Sequence, residues 1–325
     1  MKPTPPFVPA SPSSSPAARA VRPTPAPLER ILARLDAAAA AESRPLRLDS
    51  GGAADAPPND AVVTGFPSVD RLLGGGLRAG DLVVVGGDVG SGKSALALAL
   101  ALRAASVGAD DDGPEQAGNV VYFSGEMTVD RVVERALALE GRARVDDLRR
   151  GALGDEAARG AVGAAALRLR DAALDLATLP AGGADALAEA LRRTLDLRMA
   201  VVDPIEALAV GGRARDEELA AATARLKALA LEVGAPIVVT AQLPRLERGR
   251  SDLRPRLDDF GALGALAQHA DVVLALFREE MYDPGAPGVE GATELLVLKN
   301  RNGPTGYVDL YFYKQWMRFE DMVEE

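Results

Sequence analysis

The sequence predicts an α/β fold in which a mostly parallel sheet carries helices on both faces. From residue 61 onward, short apolar runs alternate with helix-length segments, one of these runs ends in a glycine-rich loop, and two late runs are separated by a short turn. Strands that alternate with helices are typical of parallel sheets, because a parallel pair of strands needs a long crossover connection.

Composition limits the classes of protein to which the chain can belong. Its 325 residues are 48% hydrophobic and include no cysteine and a single histidine, which excludes disulfides, thiolate metal sites and histidine clusters. No apolar run approaches the roughly 18 residues that span a bilayer, and the first residues lack the apolar core of a secretory signal. We therefore expect a cytoplasmic protein without membrane contact.

The first 60 residues are expected to lie outside the α/β domain. Residues 1–27 are rich in proline, serine and alanine, which predicts a disordered tail rather than a transit peptide, whose amphipathic helix this proline density disfavours. Leu28–Ala41 is predicted to be an amphipathic helix, and residues 42–60 a linker. The helix has an apolar stripe at helical spacing, formed by Leu28, Ile31, Leu32 and Leu35. It is a candidate docking element for its own domain, a neighbouring subunit or another protein.

Residues 61–325 are predicted to form one α/β domain. Five apolar runs are its predicted parallel strands: Asp81–Val85, Val120–Phe123, Met199–Val202, Ile237–Thr240 and Val272–Phe277. Glu294–Leu298 and Tyr307–Tyr313 are separated by N-G-P-T-G, which predicts a hairpin. We interpret Arg131–Arg198, rich in alanine, arginine and leucine, as several amphipathic helices between strands.

The glycine-rich loop fits a phosphate-binding motif at every fixed position. Its sequence GDVGSGKS matches G-x-x-x-x-G-K-[ST] and follows a valine-rich run. Backbone N–H groups of such a loop point at phosphates, Lys93 adds a positive charge, and the Ser94 hydroxyl can ligate Mg²⁺. We therefore expect ATP and Mg²⁺ as cofactors, bound by Gly87, Asp88, Val89, Gly90, Ser91, Gly92, Lys93 and Ser94.

The segment after this loop is ambiguous by periodicity alone. Residues 95–102 alternate alanine and leucine, a period of two that is typical of a strand. Both residue types are strong helix formers, however, and a phosphate loop needs a helix N-terminus whose dipole faces the phosphates. We predict a helix that is buried against the sheet, because it is apolar on every side.

Phosphoryl transfer to water needs a carboxylate that holds the metal, a group that activates the water and a cation that stabilises the developing charge. Asp203 ends an apolar run and is the candidate metal carboxylate. Glu126 follows another predicted strand, and since parallel strands end at one edge of a sheet, it can lie near Lys93 and deprotonate the water. An acidic residue favoured by the dipole of the next helix explains Glu126 equally well.

Three further polar residues follow predicted strands. Gln242 lies just after an apolar run and is a candidate sensor of the terminal phosphate, or else a polar strand end. Lys299 and Arg301 end another run, and residues two apart point the same way from an extended chain, so both can reach a phosphate across an interface. A solvated basic strand end is the alternative interpretation.

Taken together, these motifs resemble the C-terminal ATPase domain of the bacterial replicative helicases of the DnaB family. The resemblance covers about residues 62–321 and consists of the phosphate loop together with TGFPSVD (64–70), FSGEM (123–127), VVDPIEAL (201–208), RLKALA (225–230), AQLPR (241–245), KNRNGPTG (299–306) and RFED (318–321). It implies a RecA-like P-loop NTPase fold, with Glu126 as catalytic base, Asp203 as magnesium carboxylate and Gln242 as sensor. It also implies that Lys299 and Arg301 reach the nucleotide of the adjacent subunit in a ring, usually a hexamer.

The chain departs from the family pattern in several places. The helical domain that forms a collar and meets primase has no counterpart in residues 1–60. Residues 259–264 are DFGALG where the family typically has DLRESG, so the arginine and glutamate of a DNA-contacting loop are replaced. Pro204 stands where a tyrosine is usual, and GGDVGSGKS and the GGGL at 74–77 are closer to the RadA/Sms recombination ATPases, whose zinc finger is impossible without cysteine.

Two loops that contain arginine are candidates for binding single-stranded DNA. The net charge of −10 argues against a general polyanion binder, so any nucleic acid must be met by local basic loops. The candidate DNA-binding residues are Arg213 and Arg215 in the loop at 211–216, and Arg245, Arg248 and Arg250 in the loop at 244–256. Neither loop contains an aromatic residue, which favours salt-sensitive contact with phosphates over base stacking. Solvated arginines are an equally good interpretation.

Three functions fit this sequence. The first is an ATP-dependent DNA helicase or translocase of DnaB type that holds single-stranded DNA in the channel of a homohexameric ring, in replication or repair. The second is a regulatory or scaffold ATPase that binds a protein partner through Leu28–Ala41 without unwinding DNA; the altered loop at 259–264 and the acidic net charge support it. A recombination ATPase of RadA type is the third.

Overall fold

A nine-stranded sheet organises the residues that the computed structural model describes, namely 61–106, 118–211, 214–243 and 250–322. The tail, helix and linker predicted for the first 60 residues lie outside this described part of the chain. A separate antiparallel pair, β1 (Ala61–Val62) and β2 (Leu77–Arg78), precedes the sheet.

Six strands of the large sheet are parallel: β3 (Leu82–Gly87), β4 (Asn119–Ser124), β5 (Leu174–Thr178), β6 (Leu197–Asp203), β7 (Ile237–Gln242) and β8 (Val272–Phe277). The antiparallel strands are β9 (Ala292–Asn300), β10 (Gly306–Tyr313) and β11 (Arg318–Asp321). The order across the sheet is β11-β10-β9-β8-β3-β7-β6-β4-β5. The five predicted parallel strands and the predicted hairpin are confirmed.

Helices cover both faces of this sheet. They are α1 (Pro67–Leu72), α2 (Lys93–Ser106), α3 (Val129–Gly141), α4 (Val145–Arg150), α5 (Glu156–Asp171), α6 (Gly183–Arg193), α7 (Arg215–Val233) and α8 (Ala265–His269). Alternate residues of β3 belong to two different cores: Val83 and Val85 pack with α2, whereas Leu82 and Val84 pack with α6 and α7. This alternation follows from the period of two in a strand.

The alanine and leucine alternation after the glycine-rich loop forms a helix, as predicted. All seven residues from Leu96 to Leu102 are buried. Because α2 lies between the sheet and neighbouring elements, it needs no polar face, and the helix propensity of its residues prevails over their strand-like periodicity.

Part of the interpretation of Arg131–Arg198 is wrong, because this stretch contains strand β5 as well as helices. The strand pairs with β4 from Leu174 opposite Val120 to Thr178 opposite Ser124. As an edge strand it is only partly buried, and its short sequence LDLAT lacks the valine-rich signal of the central strands. Pairing with β4, which periodicity cannot reveal, determines its conformation.

The two edges of the sheet carry different groups. The carboxyl ends of β3, β4, β6 and β7 meet at one edge, where parallel α/β sheets bind ligands. Strand β9 runs in the opposite direction, so that Asn300 pairs with Val272 at the beginning of β8. Residues that follow β9 therefore lie at the edge opposite the glycine-rich loop.

Candidate nucleotide-binding site

The phosphate loop connects β3 to α2 and has a backbone that requires glycine. Gly90 and Gly92 have φ angles of 82° and 104°, a region that side chains other than glycine rarely adopt. A Cβ atom on Gly92 would also lie 2.7 Å from the ring of Phe319. The close approach of β11 therefore fixes this part of the loop at the N-terminus of α2, which is the geometry that a phosphate cradle needs.

Lys93 is held by acceptors of the loop and of the neighbouring strand. Its Nζ donates to the carbonyl oxygens of Gly87 at 3.1 Å and Asp88 at 2.9 Å, and to Oε1 of Gln242 at 2.9 Å. A bound phosphate can take over these donors, because its oxygens are stronger acceptors than neutral carbonyls. The predicted neighbourhood of Lys93 and Gln242 is thus present in the structure.

Four carboxylates surround Lys93. Burial lowers the pKa of Lys93, and the negative charges of Glu206, Asp203, Asp88 and Glu126 oppose this shift. Burial thus disfavours the positive charge of Lys93, and the neighbouring carboxylates favour it.

Asp203 is held by three hydroxyl groups at the end of β6. Its Oδ1 accepts hydrogen bonds from Ser94 Oγ at 3.0 Å and from Thr240 Oγ1, and its Oδ2 accepts one from Tyr122 Oη at 2.6 Å. The side chain is buried. Ser94 and Asp203, the two predicted magnesium residues, are thus in direct contact, and a hydroxyl beside a carboxylate is an oxygen donor set that suits Mg²⁺.

Tyr122 and Thr240 were missed by the sequence reasoning, although both interrupt apolar strands with a hydroxyl. They lie on β4 and β7, the strands on either side of β6. Burial, together with the charge of Asp203, raises the pKa of Tyr122 well above its usual value. Tyr122 therefore stays protonated and remains a donor to Asp203.

Glu126 lies at the same edge of the sheet, two residues after β4. Ser124 is paired with Asp203 across β4 and β6, and the Gly125 N–H donates to the carbonyl oxygen of Asp203 at 2.8 Å. Glu126 itself is exposed, and its charge acts on Lys93. The structure thus brings Glu126, Lys93 and Asp203 to one edge, as the sequence predicted.

Glu206 is a further carboxylate of the site that the sequence reasoning missed. It lies in a 3₁₀ turn, Ile205–Leu208, directly after β6, and its Oε1 accepts the backbone N–H of Gln242 at 2.7 Å. Burial raises the pKa of Glu206, while the hydrogen bond from Gln242 and the charges of Lys93 and Arg215 oppose the shift. The position of Glu206, three residues after Asp203, is the sequence feature that could have indicated its presence in the site.

A network of buried charged side chains contacts the backbone of the phosphate loop at Gly90. Arg278 donates to the carbonyl oxygen of Gly90 at 3.0 Å and, through Nε, to Glu280 Oε1 at 2.9 Å. Lys314 Nζ lies 2.6 Å from the other oxygen of Glu280. Because the segments that follow β8 and β10 supply these residues, the C-terminal hairpin helps to position the phosphate loop.

Asp88 has its own contact from the loop after β8. Tyr282 Oη donates to Asp88 Oδ2 at 3.3 Å, and burial followed by the charge of Asp88 raises the pKa of Tyr282 to about 12. Val89, the next loop residue, is largely exposed. One side of the phosphate loop is therefore packed and the other is open to a ligand.

Lys299 and Arg301 lie at the opposite edge of the sheet and are not brought to Lys93 of the same chain. Lys299 Nζ donates to the carbonyl oxygens of Ala267 and Gln268 at the end of α8, at 2.7 and 3.1 Å. Arg301 pairs with Asp271 at 3.0 Å, and its side chain is half exposed. Within one chain, these cations therefore have no access to the phosphate loop.

Of the five candidate DNA-binding arginines, two lie within the described residues, and these two differ in exposure. Arg213, Arg245 and Arg248 lie outside the described residues. Arg215 begins α7 and is exposed. Arg250 corrects the expectation of a solvent-facing side chain, because it pairs with both oxygens of Asp259, at 2.7 and 2.9 Å, and its side chain is only 20% exposed.

The altered segment at residues 259–264 has a packing role in this chain. Phe260 is buried in the core that contains α7, and a Cβ atom on Gly86 of β3 would lie 2.5 Å from its ring. Ala262 is also buried and has a φ angle of 60°. Phe260 therefore packs against β3, and Ala262 is buried in the same apolar core.

Neither a membrane span nor a dedicated metal cluster was found in the described part of the chain. No described helix is long and apolar enough to cross a bilayer. Likewise, the described residues contain no group of three or more histidine and acidic side chains that could hold a metal ion.

Comparison with known sequences gives a consistent set of relatives. A model of the DnaB-like helicase C-terminal domain matches residues 61–321. The replicative DNA helicase DnaB of Leifsonia xyli is 33% identical over 267 residues, covering 81% of this chain and 56% of the relative. DnaB of Geobacillus stearothermophilus is 30% identical over 270 residues, again with 56% of the relative covered. The chain thus spans about half the length of these relatives.

Solved structures share the fold. A solved ATPase domain superposes with a TM-score of 0.75 at 22% identity, covering 90% of this chain and 98% of that domain. A DnaB-like replicative helicase, studied with its interactions with primase, has a TM-score of 0.73 at 22% identity and is covered to 68%. These likenesses confirm the predicted RecA-like ATPase fold, and the family match confirms the resemblance: the chain belongs to the family of DnaB-like helicase C-terminal domains.

Proposed function

We propose that the protein is an ATP-dependent helicase or translocase of DnaB type that acts on single-stranded DNA in replication or repair. The observation that carries the proposal is the division of the predicted catalytic residues between two edges of one sheet. Lys93, Asp203 and Glu126 lie at the edge of the phosphate loop, and Lys299 and Arg301 lie at the other. The names of the relatives, replicative DNA helicases, support the same activity.

The proposal assigns a role to each residue at the first edge. Lys93 exchanges its carbonyl acceptors for phosphate oxygens, and Ser94 with Asp203 holds the magnesium ion. Glu126 orients and deprotonates the attacking water, and Gln242, which is already bonded to Lys93, senses the terminal phosphate. When bound, ATP supplies the transferable phosphoryl group and Mg²⁺ neutralises its charge.

The second edge requires a partner subunit. A head-to-tail arrangement, in which the Arg301 edge of one subunit faces the phosphate loop of the next, is heterologous and closes into a ring when the rotation permits. Such a ring places two cations near each nucleotide, where they can stabilise the charge that develops in phosphoryl transfer. We propose a homohexamer, located in the cytoplasm.

Single-stranded DNA is proposed to contact the channel through Arg213, Arg215, Arg245 and Arg248. Arg250 is omitted, because its ion pair with Asp259 occupies its guanidinium. Phosphate contacts of this kind are independent of sequence and weaken with salt.

The test is steady-state ATP hydrolysis with and without single-stranded DNA at low and moderate salt. We expect turnover to rise with DNA and the stimulation to weaken as salt increases. Turnover that is indifferent to DNA contradicts the motor and favours a regulatory ATPase with a partner at Leu28–Ala41. One observation favours this second candidate function. Phe260 is buried in the segment where the family has a DNA-contacting loop.

A further inference from the structure

Glu206 links the ends of β6 and β7 at a point where the two strands no longer pair. Their ladder stops at Val202 opposite Val239. Three residues later along β7, the backbone N–H of Gln242 is directed to the carboxylate of Glu206 instead, at 2.7 Å. The 3₁₀ turn after β6 thus continues the ladder with a side chain, and this hydrogen bond holds the β6 side of Gln242, whose other side pairs with Gly87 of β3.

Hydrogen bonds of its own hold the Gln242 side chain. Gln242 is exposed, so packing alone does not hold its amide. Its Oε1 accepts from Lys93 at 2.9 Å, and its Nε2 donates to the carbonyl oxygen of Leu243 at 3.1 Å. An unbroken chain of hydrogen bonds therefore runs from Glu206 through Gln242 to the lysine of the phosphate loop.

Glu206 also connects the starting points of both arginine-containing loops. Its turn, Ile205–Leu208, ends three residues before the loop at 211–216, and Gln242 lies two residues before the loop that starts at 244. The charge of Arg215 acts on the Glu206 carboxylate as well. Glu206 therefore lies between Arg215, which begins α7, and Gln242, which ends β7.

The Glu206 carboxylate is not fully satisfied by hydrogen bonds. Its Oε2 is buried and accepts no hydrogen bond within the described part of the chain. A buried acceptor without a donor is unfavourable for stability. Stability alone therefore does not account for this residue, whereas the position of Gln242 does.

We propose that Glu206 is a positioning residue that holds Gln242 at the terminal-phosphate position and lies between this sensor and Arg215, a proposed DNA contact. The inference rests on the proposed function, since it presumes a nucleoside triphosphate at the phosphate loop. Glu206 acts through Gln242 and needs only its ability to accept a hydrogen bond at this distance. Its charge is secondary to this role.

Three substitutions separate the acceptor from the charge. Glu206→Gln keeps an acceptor of the same length and removes the charge. Glu206→Asp keeps the charge but withdraws the acceptor by one methylene, and Glu206→Ala removes both. Glu217→Gln, which removes an exposed carboxylate in the first turn of α7, is the matched control.

The first readout is nucleotide binding at equilibrium, measured as the ratio of affinities for a non-hydrolysable ATP analogue and ADP. We expect Glu206→Ala and Glu206→Asp to reduce this ratio about tenfold, the effect of one lost hydrogen bond to a charged group. Glu206→Gln and Glu217→Gln are expected to stay within about twofold of the parent protein, since both keep the Gln242 anchor.

The second readout is hydrolysis. In Glu206→Ala and Glu206→Asp we expect kcat to fall about tenfold or more while KM for ATP changes less, because the misplaced sensor acts after nucleotide binding. Stimulation by single-stranded DNA is expected to be lost in the same two variants. Glu206→Gln is expected to retain both kcat and stimulation.

Two results overturn the inference. One is a Glu206→Ala protein that folds, as its thermal unfolding shows, and keeps the parent affinity ratio and kcat. The other is a Glu206→Gln protein as impaired as Glu206→Ala, which assigns the effect to charge or proton transfer. If the parent protein binds nucleotide but ignores DNA, the proposed motor fails while the affinity ratio still tests the anchor.

Discussion

Replacing Arg278 with alanine is expected to destabilise the region behind the phosphate loop. The guanidinium is almost fully buried, pairs with Glu280 and lies 4.6 Å from the ring centre of Phe312. It also donates to the carbonyl oxygen of Gly90. The substitution removes all of these contacts and leaves Glu280 with Lys314 as its remaining cation, the side chain of which is half exposed.

The expected loss is large because the pair is buried. Breaking a buried ion pair from one side costs about 3–5 kcal/mol, since the other charge is left without compensation. Arg254→Ala is the matched control: Arg254 pairs with Glu294 at 2.6 Å, but its side chain is 47% exposed. An exposed pair contributes about 0–1 kcal/mol. The two substitutions should therefore differ by about 2–5 kcal/mol in the free energy of unfolding.

Urea unfolding followed by circular dichroism measures both variants under identical conditions. Adding Glu280→Gln to Arg278→Ala removes a buried charge that is left with only the half-exposed Lys314 as its cation, so we expect part of the lost stability to return. Equal destabilisation by Arg278→Ala and Arg254→Ala, or a second substitution that restores nothing, would refute the assignment of Arg278 to a buried supporting network. Nucleotide affinity should fall with Arg278→Ala, because the Gly90 carbonyl loses its donor.

Three further predictions concern catalysis and pH. Glu126→Gln should bind an ATP analogue normally but reduce kcat about a hundredfold or more, as single-turnover hydrolysis can show. Arg301→Ala should be inactive alone yet recover part of its turnover when mixed with Lys93→Ala, because the mixed ring contains interfaces with both residues intact; no recovery at any ratio contradicts action in trans. Burial raises the pKa of Glu280, but hydrogen bonds from Lys314 and Arg278 outweigh this effect and hold the pKa below its usual value. Glu280 therefore stabilises the fold above the unfolded glutamate pKa of about 4.3, and this contribution is lost as pH falls through the lower folded value; Glu280→Gln should flatten this acid slope in urea titrations.

Much of the site could be predicted because its residues are close in sequence or lie at strand ends. The phosphate loop is a local motif, and residues that end parallel strands share one edge of the sheet, which placed Asp203, Glu126 and Gln242 beside Lys93. At one segment, hydrophobic periodicity alone indicates the wrong type of element. The helix α2 has the period of a strand, and its prediction depended on the loop that precedes it.

Other features depended on contacts between distant segments. Strand β5 forms because β4 offers a free edge, and Arg250 pairs with Asp259 because the chain folds back on itself. The anchor from Glu206 to Gln242 joins residues that are 36 positions apart. Nothing in the local pattern of either segment indicates such a contact.

The sequence by itself determined the α/β class, the five central strands and the chemistry of the phosphate loop, because these depend on local propensity, burial period and a contiguous motif. Only the tertiary structure decided that Lys299 and Arg301 face away from their own phosphate loop, since this follows from the antiparallel direction of β9. It also decided that Tyr122, Thr240 and Glu206 belong to the site. Hydrogen bonds across a sheet depend on strand order and register, which the pairing of distant segments sets.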